Sequence, residues 1–266
     1  MNEKEQANRI AKSIDEMNRY GKFKEAIEQA DKAIDQFSPP GFGEGHCFSF
    51  DSMEQFLFFC AKLKASGHMD NATWSAGNEA GILTSKAYAL CELKRHNEAL
   101  DTLKLALEYN PVSTSIRFEM IENHFQLHQL EEVTLYLKEL ATLVIYPTEI
   151  ARYYRRIGFL FTESAKYEVA LASYVFSMYF EDSDLAKNEI GYILHDCMKK
   201  NVPEGKAIFC SMKGVGALQI LRKNKQLLCI DDERLPLITD GGNNTEKNYF
   251  NAYCALGIVK KPQLCS

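Results

Sequence analysis

Apolar positions recur every three to four residues over most of the chain, the spacing of one face of an α-helix. The pattern is clearest in AYALCELKRHNEALDTLKLALEYNP (87–111) and YYRRIGFLFTESAKYEVALASYVFSMYFED (153–182), each reading as helix, tight turn, helix. Four segments, 7–40, 80–113, 114–147 and 151–184, align at a 34-residue period. Two amphipathic helices in such a segment cannot each bury an apolar stripe alone, so the period predicts packing within each pair and between successive pairs. Ala26 and Ala33 are seven residues apart, as are Ala99 and Ala106, so each pair returns to one helix face. Small side chains there let neighbouring helices approach closely, while Ile27, Leu100 and Leu103 fill the flanks.

The period is interrupted twice. Between the first two repeats lie residues 41–79, opened by SPPGFGEGHCFSF (38–50), which has prolines and glycines, no helical period, and reads as a loop. Ser52 followed by Gln55 fits a capping box and predicts a helix over 52–64 as an added element beside the regular stack. Met53, Phe56, Leu57, Cys60 and Leu63 give it an apolar face, and Phe58 and Phe59 widen that face nearly all round. After a break at SGHMDN (66–71) the next helix is expected from near Thr73, carrying Trp74. The second irregularity is the C-terminus. Residues 184–200 read as one amphipathic helix shielding the last repeat, 206–224 as another weakened by Gly214 and Gly216. QLLCI (226–230) and LPLIT (235–239) are candidate short strands, and 246–259 a further helix.

The repeat resembles the tetratricopeptide repeat (TPR) family over about half the chain. The family's small residue near the start of the second helix matches Ala26, Ala99, Val133 and Ala170, and its later small residue Ala33, Ala106, Leu140 and Ser177. Its large residue by the turn matches Phe23, His96, Leu130 and Tyr167. Gly158 fits the glycine of the first helix, where the other repeats carry Ile14, Ala87 and Ile121. The closing proline is Pro111; Ser38, Ile145 and Asp182 stand there in the other repeats. The resemblance implies an all-α, superhelical solenoid over 1–200, with the insertion near 41–79 and a mainly helical extension over 201–266. It also implies that positions 2, 5 and 9 of each repeat face a concave groove. Carried over, these are Asn8, Ala11 and Asp15; Gly81, Thr84 and Tyr88; Ser115, Phe118 and Glu122; and Arg152, Arg155 and Phe159. Tyr88, Phe118, Glu122, Arg152, Arg155 and Phe159 are the expected protein-binding set. The lysine and asparagine pattern with which some family members clamp a C-terminal carboxylate is absent, Ala11 and Asp15 standing where it would begin.

Charge and composition narrow the function classes. The formal charge is -5, from 31 basic and 36 acidic side chains, which argues against a protein built wholly to coat nucleic acid. Lys199, Lys200, Lys206, Lys213, Arg222, Lys223 and Lys225 are opposed over 199–225 by Glu204 alone, and this segment carries the alternative of a nucleic-acid-associated adaptor. No stretch approaches 18 uncharged apolar residues, so no membrane span is expected. MNEKEQANRIAK has no apolar core of a secretory signal. Eight dispersed cysteines without a CxxC pair then fit reduced thiols in a cytoplasmic protein.

No catalytic, metal or cofactor set is assigned. Gly41, Gly43 and Gly45 lack the strand and helix that a phosphate loop needs. His124 and His128 are four apart but lack a completing ligand; they read as an inward-facing residue and a turn residue. His46 and Cys47 in loop 38–50 carry a second alternative, an enzyme or regulatory subunit built on an activated thiol. Asp231, Asp232 and Glu233 read as a solvated turn. The expectation is a non-catalytic scaffold that binds a protein or peptide.

Overall fold

The computed structural model describes residues 3–67, 72–75, 77–144, 146–199 and 215–224. Among them are eleven helices: α1 Glu3–Arg19, α2 Phe23–Ile34, α3 Met53–Ala65, α4 Glu79–Glu92, α5 His96–Tyr109, α6 Thr114–Gln126, α7 Leu130–Ala141, α8 Pro147–Glu163, α9 Tyr167–Ser177, α10 Asp184–Lys199 and α11 Val215–Lys223. Isolated bridges are the only β pairings among the described residues. The chain divides into two compact units, one ending at Glu132 and the other beginning at Val133.

One turn is used four times. Gly21, Lys94, His128 and Ala165 have φ of 70°, 61°, 56° and 54°, and each is the fifteenth residue of its 34-residue segment. The N–H of the following residue bonds the carbonyl five residues back: Lys22 to Met17, Arg95 to Leu90, Gln129 to His124 and Lys166 to Phe161, at 2.8–2.9 Å. This is the αL-type helix ending that satisfies otherwise orphaned carbonyls. Only the first copy has the glycine that such a φ favours.

In the first unit, α4 packs on both α1 and α2, then pairs with α5, and α6 packs on α5 and α4. Ala26, Ala33, Ala99 and Ala106 are all buried, as the repeat predicts. Polar ties reinforce the stacking. Asn18 donates to the Ser85 carbonyl at 2.9 Å, Ser85 donates to Asp15 at 2.6 Å, and Lys86 pairs with Asp31 at 2.6 Å. Buried Arg117 donates to the carbonyls of Ser113 and Pro111, both at 2.9 Å, fixing the turn from α5 into α6.

The described residues of the insertion form a strap. Ser52 caps α3, accepting from the Gln55 N–H at 3.3 Å, while the Gln55 side chain accepts from the Asp51 N–H at 3.0 Å. Phe48, Phe50, Phe56, Phe59 and Trp74 form a small aromatic core, with Phe48 and Phe59 centroids 4.8 Å apart and Phe56 and Trp74 stacked at 5.5 Å. The expected helix start near Thr73 is corrected. Thr73–Ser75 is extended and bridges Phe48: the Phe48 N–H donates to Thr73 at 2.8 Å and the Ser75 N–H to Phe48 at 2.7 Å. Backbone groups spent on that pairing cannot enter a helical turn, so α4 begins only at Glu79. The end of α5 anchors the strap. Tyr109 donates its hydroxyl to Ser38 at 2.8 Å and accepts the Ser49 N–H at 2.9 Å, and Asn110 donates to Gln55 at 2.9 Å. Phe58 and Phe59 are buried as expected, whereas Met53 and Leu57 are exposed, so one side of α3 faces out.

In the second unit α8 and α9 pair closely, and both α10 and α11 pack on α9. Val133, Leu140, Ala170 and Ser177 are buried. Tyr154 meets Phe176 edge-on at 4.6 Å. Ala186, Ile190 and Ile193 form the inward stripe of α10, while Leu185 is exposed. The expected strands over 226–239, the helix over 246–259 and residues 201–214 lie outside the described residues.

Candidate functional site

The first helices of the first unit, α1, α4 and α6, carry two separate clefts. Gly81, Thr84, Ser85 and Tyr88 recur at helical spacing along α4, with Asp15 of α1 tied to them through Ser85. A cleft of about 250 Å3 is lined by Gly81, Thr84 and Ser85 of α4, Ser113, Ser115 and Ile116 at the start of α6, and Asp51 of the strap. A second, of about 220 Å3, is lined by Asn8, Ala11, Lys12, Asp15, Glu16 and Arg19 of α1 with Asn78. Five of the residues expected at groove positions 2 and 5 line these clefts: Asn8, Ala11, Gly81, Thr84 and Ser115.

The expected binding residues fall into two sets. In the first unit, Tyr88 is 44% exposed and its ring meets Phe23 edge-on at 6.4 Å, which holds it in place. Glu122 is half-buried and accepts from Gln126 at 3.3 Å. Phe118 is 1% exposed, so its ring serves the interior of the fold and not a binding surface. On α8, in the second unit, Arg152, Arg155 and Phe159 are half-buried. Arg155 pairs with Glu181 at 2.6 Å, so its charge is already answered within its own unit. A carboxylate from a partner would have to displace Glu181.

The electrostatics at the end of α4 are negative. The Tyr88 phenol is pushed up by burial and then by Glu92, Cys91 and Glu119. The Cys91 thiol is pushed up by burial and by Glu92, Glu119 and Glu122, against Lys94. Sequence reasoning missed the neighbours of this thiol. His96 Nδ1 lies 2.9 Å from Asn123 Oδ1 and 3.7 Å from Cys91 Sγ. A hydrogen on Nδ1 bonds the amide oxygen, so that nitrogen is not a base for the thiol, and the raised thiol is not an activated nucleophile. The signal available was the histidine at the large-residue position beside the turn.

The strap does not assemble an activated thiol. His46 Nδ1 lies 3.2 Å from the Glu44 carbonyl, and Cys47 Sγ is 3.9 Å from the Ser38 carbonyl. Burial and then Glu79 push the Cys47 thiol up, partly offset by Ser75. Glu79, 6% exposed, accepts the Ser75 hydroxyl at 2.5 Å, and its other oxygen has no hydrogen-bond partner. A buried thiol beside a carboxylate stays protonated. His124 is buried with Nδ1 2.7 Å from Gln129, and His128 occupies the exposed turn, as the repeat frame predicts.

Among the described residues no three His, Cys, Asp or Glu side chains gather as a metal-binding group, and no helix is long and apolar enough to cross a membrane. Of the basic segment, Arg222 and Lys223 end α11 exposed and Lys199 ends α10; Lys200, Lys206, Lys213 and Lys225 lie outside the described residues. No protein-family model matches the chain, and no curated protein matches it.

Proposed function

We propose that the chain is a TPR-like helical-repeat solenoid that works as a non-catalytic scaffold and binds a protein or peptide segment along α1, α4 and α6. One observation carries this reading: the two clefts of the first unit fall on the positions where the repeat frame puts a groove, Asn8, Ala11, Gly81, Thr84 and Ser115. Recurrence of one turn at the fifteenth position of all four segments supports the repeat frame itself. The reading places the protein in the cytoplasm, where its thiols stay reduced.

Thr84 and Ser85 donate their hydroxyl protons to Ala80 and Asp15, so their oxygens serve as acceptors for the N–H groups of an extended peptide, and Tyr88 supplies an amphipathic aromatic anchor. The test is selection of displayed twelve-residue peptides on the full chain, followed by calorimetry with the wild type and Thr84→Arg. Arginine at position 84 fills the larger cleft from a helical site where it is a good helix former. Selected peptides should bind the wild type and lose at least about tenfold in affinity for Thr84→Arg. Failure to select any peptide, or equal affinity for both proteins, would overturn the reading.

A further inference from the structure

The binding face is not electrostatically even. Along α4 it passes from the hydroxyl-rich cleft at Thr84 and Ser85 to Tyr88 and then to Glu92, the exposed last residue of the helix. The carbonyls that end α4 add partial negative charge at the same place. Glu119 of α6 acts on the Tyr88 phenol in the same sense, and Lys94 opposes the carboxylates at the neighbouring Cys91 thiol. Phe23 fixes the ring from the α2 side, leaving close to half of Tyr88 open to solvent. An exposed aromatic ring on the same helix face as a carboxylate, near a helix C-terminus, is complementary to a cation.

We propose that the bound segment seats a lysine or arginine side chain over Tyr88 and against Glu92, with its flanking backbone in the cleft at Thr84. This rests on the peptide-binding reading and specifies the chemistry of the occupant. Acidic segments are disfavoured at this end by like charge, which separates this face from one that captures a carboxylate.

The test uses fluorescein-labelled peptides from the selection and the full chain. Each peptide is measured with its basic residue present and replaced by alanine, against the wild type, Tyr88→Ala, Glu92→Lys and Glu28→Lys. Lysine at the C-terminal end of α4 complements the helix dipole, so Glu92→Lys should fold. Exposed Glu28 lies on α2 and controls for net charge alone. The expected result is a selected consensus containing Lys or Arg, about tenfold weaker binding on its removal and with Glu92→Lys or Tyr88→Ala, and no comparable loss with Glu28→Lys. Peptides that respond to Thr84→Arg but carry no basic residue, or that ignore Glu92→Lys, would overturn the cation site and leave the binding face standing. Equal loss with Glu28→Lys would reduce the effect to bulk charge and overturn it too. Absence of any peptide sensitive to Thr84→Arg would overturn both.

Discussion

Gly158 and Tyr174 meet without room for a methyl group: a Cβ at Gly158 would lie 2.7 Å from the Tyr174 ring. Tyr174 is buried in α9, and its ring occupies the space beside α8 that a side chain at position 158 would need. The glycine that marks the first helix of this repeat is therefore explained by a large neighbour in the second. Alanine is the better helix former by about 1 kcal/mol, so propensity alone predicts that Gly158→Ala stabilises. Overpacking against Tyr174, typically a cost of about 1–3 kcal/mol, should outweigh that gain and leave a net loss of up to about 2 kcal/mol in urea unfolding. In a double-mutant cycle with Tyr174→Leu, part of that loss should disappear.

The repeated turn gives a second expectation with the opposite sign. Lys94 and Ala165 hold a left-handed φ without being glycine. Relief of that strain should make Lys94→Gly stabilising by about 0.5–1 kcal/mol, although glycine adds freedom to the unfolded chain. Gly21→Ala, at the same position of the first repeat, should be destabilising by a similar amount. Thermal unfolding of the two variants checks both signs.

Burial, with Cys47 and Glu79 adding, pushes the Tyr109 phenol up to about 12. The unfolded chain ionises near pH 10, so the folded state holds this proton more tightly. The resulting stability is complete below pH 10 and is lost as pH rises through 12. Burial likewise raises Tyr154 and Tyr174, so Tyr109→Phe should reduce the alkaline loss without abolishing it. At neutral pH the same variant should cost about 0.5–1.5 kcal/mol, for the hydrogen bond to Ser38 that anchors the strap. Unfolding midpoints measured from pH 8 to 11 read both effects.

Arg155 and Glu181 are only partly exposed, at 16% and 37% of the side chain, so their pair should be worth up to about 1 kcal/mol after solvent screening. Arg155→Glu should lose that amount and add like-charge repulsion, and the swap Arg155→Glu with Glu181→Arg should recover most of it. A complete cycle by chemical denaturation measures the coupling. Full stability of Arg155→Glu alone would show that the pair contributes nothing.

Much of the helical framework was legible because its causes are local. Ser52 and Gln55 announce α3, and the spacing of Ala99 with Ala106 announces their burial. What was not legible depends on distant partners. Trp74 stands where a helix start is expected, but Phe48, 26 residues earlier, takes its neighbours' backbone bonds and holds them extended. The repeat frame alone does not distinguish Phe118, buried, from Tyr88, exposed, because their surroundings come from packing against other helices. Lys94, His128 and Ala165 carry no glycine signal for the turn they make, which is imposed by the helices on either side. For Arg155 the sequence showed a charge, and the structure supplied its partner, Glu181.

Amide chemical-shift mapping of the isotope-labelled full chain, during titration with a peptide selected on the wild type, tests the proposed peptide-binding face of the first unit. Shifts should concentrate at Asp15, Thr84, Tyr88, Glu92 and Ser115, with the exposed residues of α2 and α5 unmoved. Shifts centred on α2, α5 or the strap at residues 38–50, with α1, α4 and α6 silent, would contradict it.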